Sequence, residues 1–165
     1  RTIMFTDLKD STAMTSRLGD AQAMSFLRIH NEMVRDAVRA HEGREVKHTG
    51  DGFMLSFTSA PRCVECAIAI QRAFAAYNAG SPSQQLQVRI GISAGQPIEE
   101  SGDLFGSTVQ LAARICDHAR PETILTTEAV RDLVADLPMN QVGEVTPKGF
   151  TEPVGTFEVR WEASP

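Results

Sequence analysis

The sequence predicts an α+β fold in which a split βαβ unit, of the ferredoxin-like kind, builds a largely antiparallel sheet covered by helices. Two observations carry this. The apolar strand "RTIMFTD" is followed by helical periodicity, the hairpin "REVKHT"/"GFMLSFTS", a further helix and the alternating strand "LQVRIGIS". Strand, helices, hairpin, helix and strand in that order are the split βαβ pattern. The second observation is size. The 165 residues, 42% hydrophobic and 22% charged, suffice for one soluble domain, 1–165, to bury a core without disulfide or metal staples. The abrupt start at Arg1 leads us to expect a domain excised from a longer chain.

The elements follow in order. Residues 1–7 read as a buried strand ending on Asp7, and "DLKDSTAMTSRLGD" as a loop running into a short helix. Asp20 is expected to cap a longer helix with apolar positions Met24, Leu27, Met33, Val34, Ala37 and Val38, ended by Gly43. A tight glycine turn, Gly50-Asp51-Gly52, joins the hairpin strands, the second with an apolar side from Phe53, Leu55 and Phe57. Helix 61–79 comes next, then a strand from Leu86 to Ile92, a loop at "ESGD" and the helix "STVQLAARICDHA". The short strand "TILTT", a helix "EAVRDLVADL" and a closing pair of strands, "NQVGEVTPKG" and "PVGTFEVRW", complete the chain.

Composition excludes several classes of function. A net charge of −5 argues against a nucleic-acid partner. No apolar run approaches the ~18 residues of a membrane span, so no membrane contact by this domain is expected. Cys63 and Cys66 form a C-x-x-C, but on an apolar helix and without a second ligand pair, so they are expected to be packing residues. Three cysteines and no secretory signal favour a reducing, cytoplasmic compartment, with membrane anchoring of a parent chain left open. His30, His41, His48 and His118 show no ligand spacing, and His48 is expected to pack at its turn.

The chemistry gathers at "FTDLKDST" and "KHTGDGF". The split βαβ topology makes the strands carrying Asp7 and Asp51 central neighbours, so two carboxylates converge at one sheet edge. Like charges this close call for a raised pKa or a bound cation. Oxygen-only ligands suit a hard cation such as Mg²⁺, and two ions ~3.5–4 Å apart serve phosphoryl chemistry. The backbone N–H groups opening the helix at Ser11 and Thr12 are placed to cradle phosphates. The alternative for each residue alone is structural, with Asp10 or Ser11 capping the helix and Asp7 solvated.

Four ordered motifs, "MFTDLKDST", "KHTGDGFMLSF", "GDLFGSTVQLAARI" and "PKGFTEPVGTFEV", resemble the class III nucleotidyl cyclase catalytic domain of adenylyl and guanylyl cyclases. The resemblance spans nearly the whole chain. It implies two divalent cations, Mg²⁺ or Mn²⁺, on Asp7, Asp51 and the Leu8 carbonyl. It implies a purine-selecting pair at Lys47 and Asp103, with Leu104 beside it, ribose positioning by Gln110, a transition-state arginine at Arg114 and a phosphate contact at Lys148. It also implies a head-to-tail homodimer in which one subunit gives the metal aspartates and the other gives Lys47, Asp103, Gln110 and Arg114. Lys47 is donor-only and ionised Asp103 acceptor-only, which matches adenine (N1 acceptor, N6 donor) and mismatches guanine. The expected activity is therefore conversion of ATP to 3′,5′-cyclic AMP and pyrophosphate.

Two positions depart from the resemblance. Gln110 stands where asparagine is usual, and Asp10 where glycine is common. Both favour a rival reading, a degenerate domain that binds nucleotide and regulates a neighbour. A palm-like nucleotidyl transferase is a second rival, but no motif for a second substrate is present.

Overall fold

The computed structural model describes residues 1–162. A seven-stranded sheet runs in the order β2-β3-β1-β4-β7-β9-β8. Its strands are β1 (Thr2–Leu8), β2 (Arg44–Thr49), β3 (Gly52–Phe57), β4 (Val88–Ala94), β7 (Ile124–Thr127), β8 (Met139–Val145) and β9 (Val154–Val159). All neighbours are antiparallel except β4 and β7. The helices are α1 (Ser11–Leu18), α2 (Asp20–Ala40), α3 (Ala60–Ala79), α4 (Ser107–His118) and α5 (Glu128–Leu133). A hairpin outside the main sheet pairs β5 (Ile98–Glu100) with β6 (Asp103–Phe105).

Strand alternation divides the molecule into two layers. Met4, Leu8, Phe53, Leu55, Phe57, Ile90 and Ile92 point to one face and merge with Val34, Val38, Val64, Ile70 and Phe74 of α2 and α3 into the main core. Ile3 and Met54 point to the other face, where they meet Ala112 of α4 and Leu104 of β6. Asp7 pairs in register with Gly52 and with Arg89, so these positions lie on the α4 side. The site is thus built on the side of the sheet covered by α4 and the β5–β6 hairpin.

Gly91 lets α4 come close. A Cβ there would stand 2.2 Å from the Cys116 nitrogen, a backbone atom that cannot rotate away. Gly91→Ala is therefore expected to push α4 off β4 and destabilise the fold by about 3 kcal/mol. A urea midpoint unchanged from the parent chain would show that α4 lifts freely.

Several expectations need correction. Asp20 is the first residue of α2 and Gly19 the N-cap. The buried stripe of α2 is Ala23, Phe26, His30, Val34 and Val38, which leaves Met24 exposed. Phe53, Leu55 and Phe57 are only half the story of β3, because Met54 is buried on the opposite face under α4. The expected loop at "ESGD" is the turn of the β5–β6 hairpin. The last helix stops at Leu133. Cys63 and Cys66 are fully buried free thiols in α3, and burial pushes Cys66 up to about 12, so both pack rather than react.

Candidate active site

Asp7 and Asp51 come together because β1 and β3 end side by side. Asp7 pairs with Gly52, and the next residue, Leu8, donates its N–H to the Asp51 carbonyl at 2.9 Å. Gly52 has to be glycine: a Cβ there would lie 2.7 Å from the Thr6 carbonyl and reach towards the Asp7 carboxylate. Outside the strand ladders no backbone N–H of the described residues donates to the Leu8 carbonyl.

Each carboxylate has one oxygen engaged by a protein donor. The Ser11 hydroxyl donates to Asp51 Oδ2. Arg89 donates twice to Asp7 Oδ2, from Nη2 at 2.8 Å and Nε at 3.1 Å. Burial works against the Arg89 cation, but the hydrogen bond and charge of Asp7 raise its pKa on balance. Arg89 is the residue that sequence reasoning missed. Its signal was available: it is the one charge in the otherwise buried run "VRIGIS", three strands into the sheet.

The donor set fits a hard divalent cation. Asp7 Oδ1 and Asp51 Oδ1 have no hydrogen-bond donor among the described residues, since the donors to these carboxylates all go to Oδ2. No third His, Cys, Asp or Glu joins the pair among the described residues. Mg²⁺ commonly binds in this way, through one or two carboxylates completed by water and substrate phosphates.

The start of α1, where the sequence leads us to expect a phosphate cradle, has a left-handed entry. Asp10 is the N-cap of α1 at φ 56°, ψ 33°, and its side chain caps nothing. Only glycine adopts that backbone without cost, though Asp tolerates it better than most. With Met14 bonding back to Asp10, the N–H groups of Ser11, Thr12 and Ala13 precede the first helical bond and are free of helical partners. The Ser11 hydroxyl is committed to Asp51, so Ser11 has only its backbone N–H to offer an anion.

Lys47 reaches the same side of the sheet through a β-bulge. Glu45 pairs with Leu55, yet Lys47 pairs with Met54, so Val46 is the extra residue and Lys47 sits opposite Met54. Strict alternation would have turned Lys47 towards the α2–α3 core. Re-aiming a side chain is what a bulge does. Lys47 Nζ then pairs with Asp103 Oδ2 at 2.6 Å, and its bond holds the Asp103 carboxyl below the usual carboxylate range. Leu104 donates its N–H to Asp103 Oδ1 at 2.8 Å, while its side chain is buried against Ile3, Met54 and Ala112. Leu104 can therefore contact a ligand only by its backbone. His48, one residue on, stacks on Phe53 with ring centroids 4.4 Å apart.

A cleft of about 240 Å³ runs between Asp7 and Lys47, lined also by Thr49, Gly52, Cys116 and Asp117 among others. Burial pushes the Cys116 thiol up to about 12, which removes it as a nucleophile. Gln110 and Arg114 are both exposed on α4, outside the cleft lining, and Arg114 pairs with Asp117 at 3.3 Å. Lys148 lies on the exposed loop between β8 and β9, away from the cleft, with no ion-pair partner among the described residues. Asp7 and Lys47 thus line one cleft, with Asp51 on the turn beside the Asp7 strand and Asp103 paired to Lys47, while Gln110, Arg114 and Lys148 are exposed outside its lining.

Comparison with known proteins identifies the family and the fold. Residues 1–160 match the family model described as the adenylate and guanylate cyclase catalytic domain. An uncharacterized protein of Mycobacterium tuberculosis is 38% identical over 157 residues, 95% of this chain but 40% of that protein. The chain therefore spans well under half the length of that relative. Among solved structures, the guanylyl cyclase Cya2 superposes with a TM-score of 0.87 at 25% identity, covering 99% of this chain and 93% of that one. The adenylyl cyclase CyaB of P. aeruginosa superposes with 0.86 at 21% identity, covering 99% and 94%. With the matching family model covering nearly every residue, the chain belongs to the class III adenylate and guanylate cyclase catalytic domain family.

Proposed function

We propose that the chain is a single adenylyl cyclase domain that converts ATP to 3′,5′-cyclic AMP and pyrophosphate at sites shared between two copies in a head-to-tail homodimer. The observation that carries the choice of purine is the Lys47–Asp103 pair at 2.6 Å. An ammonium offers donors only and an ionised carboxylate acceptors only. Side by side, they present to a base edge one donor and one acceptor. With Lys47 at position 1 and Asp103 at position 6, adenine N1 and N6–H₂ satisfy both, whereas guanine sets N1–H against the ammonium and O6 against the carboxylate.

Each remaining residue then has a task. Asp7, Asp51 and the Leu8 carbonyl would hold two divalent cations, Mg²⁺ or Mn²⁺, which when bound neutralise triphosphate charge and lower the pKa of the attacking 3′-hydroxyl. The N–H groups of Ser11 and Thr12 take phosphate oxygens at the start of α1. Gln110 orients the ribose from the partner, and Arg114 places a planar, permanently charged guanidinium where charge develops on the transferring phosphoryl group. Lys148 reaches a terminal phosphate. The outward direction of Gln110, Arg114 and Lys148 supports a site completed across an interface. Three buried free thiols suit a reducing, cytoplasmic compartment. No helix of the described residues is long and apolar enough to cross a membrane.

Asp10 gives the rival reading its strongest support, because its carboxylate stands at the phosphate cradle in a backbone conformation that favours glycine. The test is direct. Incubated with Mn²⁺ and an equal mixture of ATP and GTP, the chain is expected to release 3′,5′-cyclic AMP in at least about hundredfold excess over cyclic GMP. Nucleotide binding without either product would favour the regulatory reading, and a predominance of cyclic GMP would reverse the purine assignment.

A further inference from the structure

Four charged residues form a continuous ionic chain along the α4 side of the sheet. Asp7 Oδ2 accepts two bonds from Arg89. Arg89 Nη1 donates to the Asp117 carbonyl at 2.9 Å, and its Nη2 lies 3.8 Å from Asp117 Oδ1. The other oxygen, Asp117 Oδ2, accepts from Arg114 Nη1 at 3.3 Å. The Asp117 carboxylate thus faces two guanidinium groups, that of Arg89, which also holds Asp7, and that of Arg114.

The two ends of that chain differ in function if the shared-site reading above holds, and the inference rests on it. Asp7 then serves one site of the dimer and Arg114 of the same subunit serves the other. From this we infer that Asp117 is a positioning residue that couples the two sites, holding Arg114 back until a divalent cation at Asp7 displaces Arg89. The physics is competition for one acceptor. Two divalent cations shared by the Asp7 carboxylate would need both of its oxygens, including the Oδ2 that Arg89 now holds, and their charge would oppose the guanidinium. The nearest carboxylate left to Arg89 is Asp117, already within 4 Å. A second cation on Asp117 weakens its hold on Arg114. That hold is weak to begin with, because the Arg114–Asp117 pair is about half exposed on both sides. The coupling it can carry between sites is about two- to fivefold.

The guanidinium signals of Arg89 and Arg114 report this without turnover. They are assigned in ¹⁵N-edited spectra by their loss in Arg89→Lys and Arg114→Lys. Nucleotide-free chain is then titrated with Mg²⁺. In the parent chain both signals are expected to move along one titration curve. In Asp117→Asn the Arg89 signal should still move, while the Arg114 signal starts near its Mg²⁺-saturated position and stays there; Asp117→Glu should restore its response. An Arg89 signal that moves while Arg114 stays put in the parent chain overturns the coupling and leaves the metal assignment standing. An Arg89 signal that ignores Mg²⁺ overturns both. An Arg114 response that survives undiminished in Asp117→Asn shows a through-space field and removes Asp117 from the path. The parent-chain measurement decides the matter even if a variant folds poorly.

Discussion

Asp51→Ala is expected to lower kcat/KM for ATP by about 10³-fold or more at saturating Mg²⁺, since each ~1.4 kcal/mol of lost transition-state stabilisation is tenfold in rate and a metal at the reacting oxygens supplies several. The fold should survive. Asp51 sits in the two-residue turn between β2 and β3, and its side chain accepts one bond, from the half-buried Ser11 hydroxyl. Asp51→Asn is the sharper version, because the amide oxygen can still accept from Ser11 while the charge is gone. Asp7→Ala should be equally inactive but is a less clean variant. It strands Arg89, whose guanidinium is 29% exposed beside an Asp7 that is 32% exposed, and partial solvent screening limits the stability loss to about 1 kcal/mol. Near-full cyclase activity of a folded Asp51→Ala chain under Mg²⁺ would sink the two-metal assignment.

Exchanging the proposed base-reading pair, Lys47 and Asp103, should have the second largest effect. In Lys47→Glu with Asp103→Ser, the carboxylate accepts from guanine N1–H and the hydroxyl donates to O6. Each mismatched polar group in a closed pocket costs ~1–3 kcal/mol, so reversing two of them should move the ATP/GTP ratio of kcat/KM by about 10²-fold or more. The geometry explains why both changes are needed together. Lys47→Glu alone would set a carboxylate against Asp103 where a 2.6 Å ion pair now stands. The serine relieves that repulsion and can donate to the new glutamate when no base is bound. The total rate is expected to fall steeply through mispositioned ribose, so the ratio is the quantity to compare. A ratio equal to the parent's would mean that these residues do not read the purine.

Much of this was legible in the sequence because the elements announce themselves locally. Strand alternation at "VRIGIS", the Gly50-Asp51-Gly52 turn and the helical runs gave the order of strands and helices, and the split βαβ rule made the strands of Asp7 and Asp51 neighbours. Three things were not legible. The bulge at Val46 depends on pairing with β3, so nothing in "REVKHT" says that Lys47 leaves the face which alternation assigns it. The β5–β6 hairpin has three-residue strands, too short to show a period. The Asp7–Arg89 pair joins positions 82 residues apart, and only the register of β1 on β4 brings them together. Asp10 shows the reverse case. Its oddity was visible as a residue type, and the structure supplies the reason, a left-handed backbone at the entry to α1.

The shared site is tested most directly by mixing two inactive chains. Asp7→Ala breaks the metal half and Arg114→Ala the transition-state half, so each homodimer should be inactive. In a mixed dimer one site carries both lesions and the other carries neither. Random pairing makes half the dimers mixed, each with one intact site of two, so co-expression should restore roughly a quarter of parent activity. Folded variants that demonstrably form mixed dimers and recover no activity would contradict a site built from two chains.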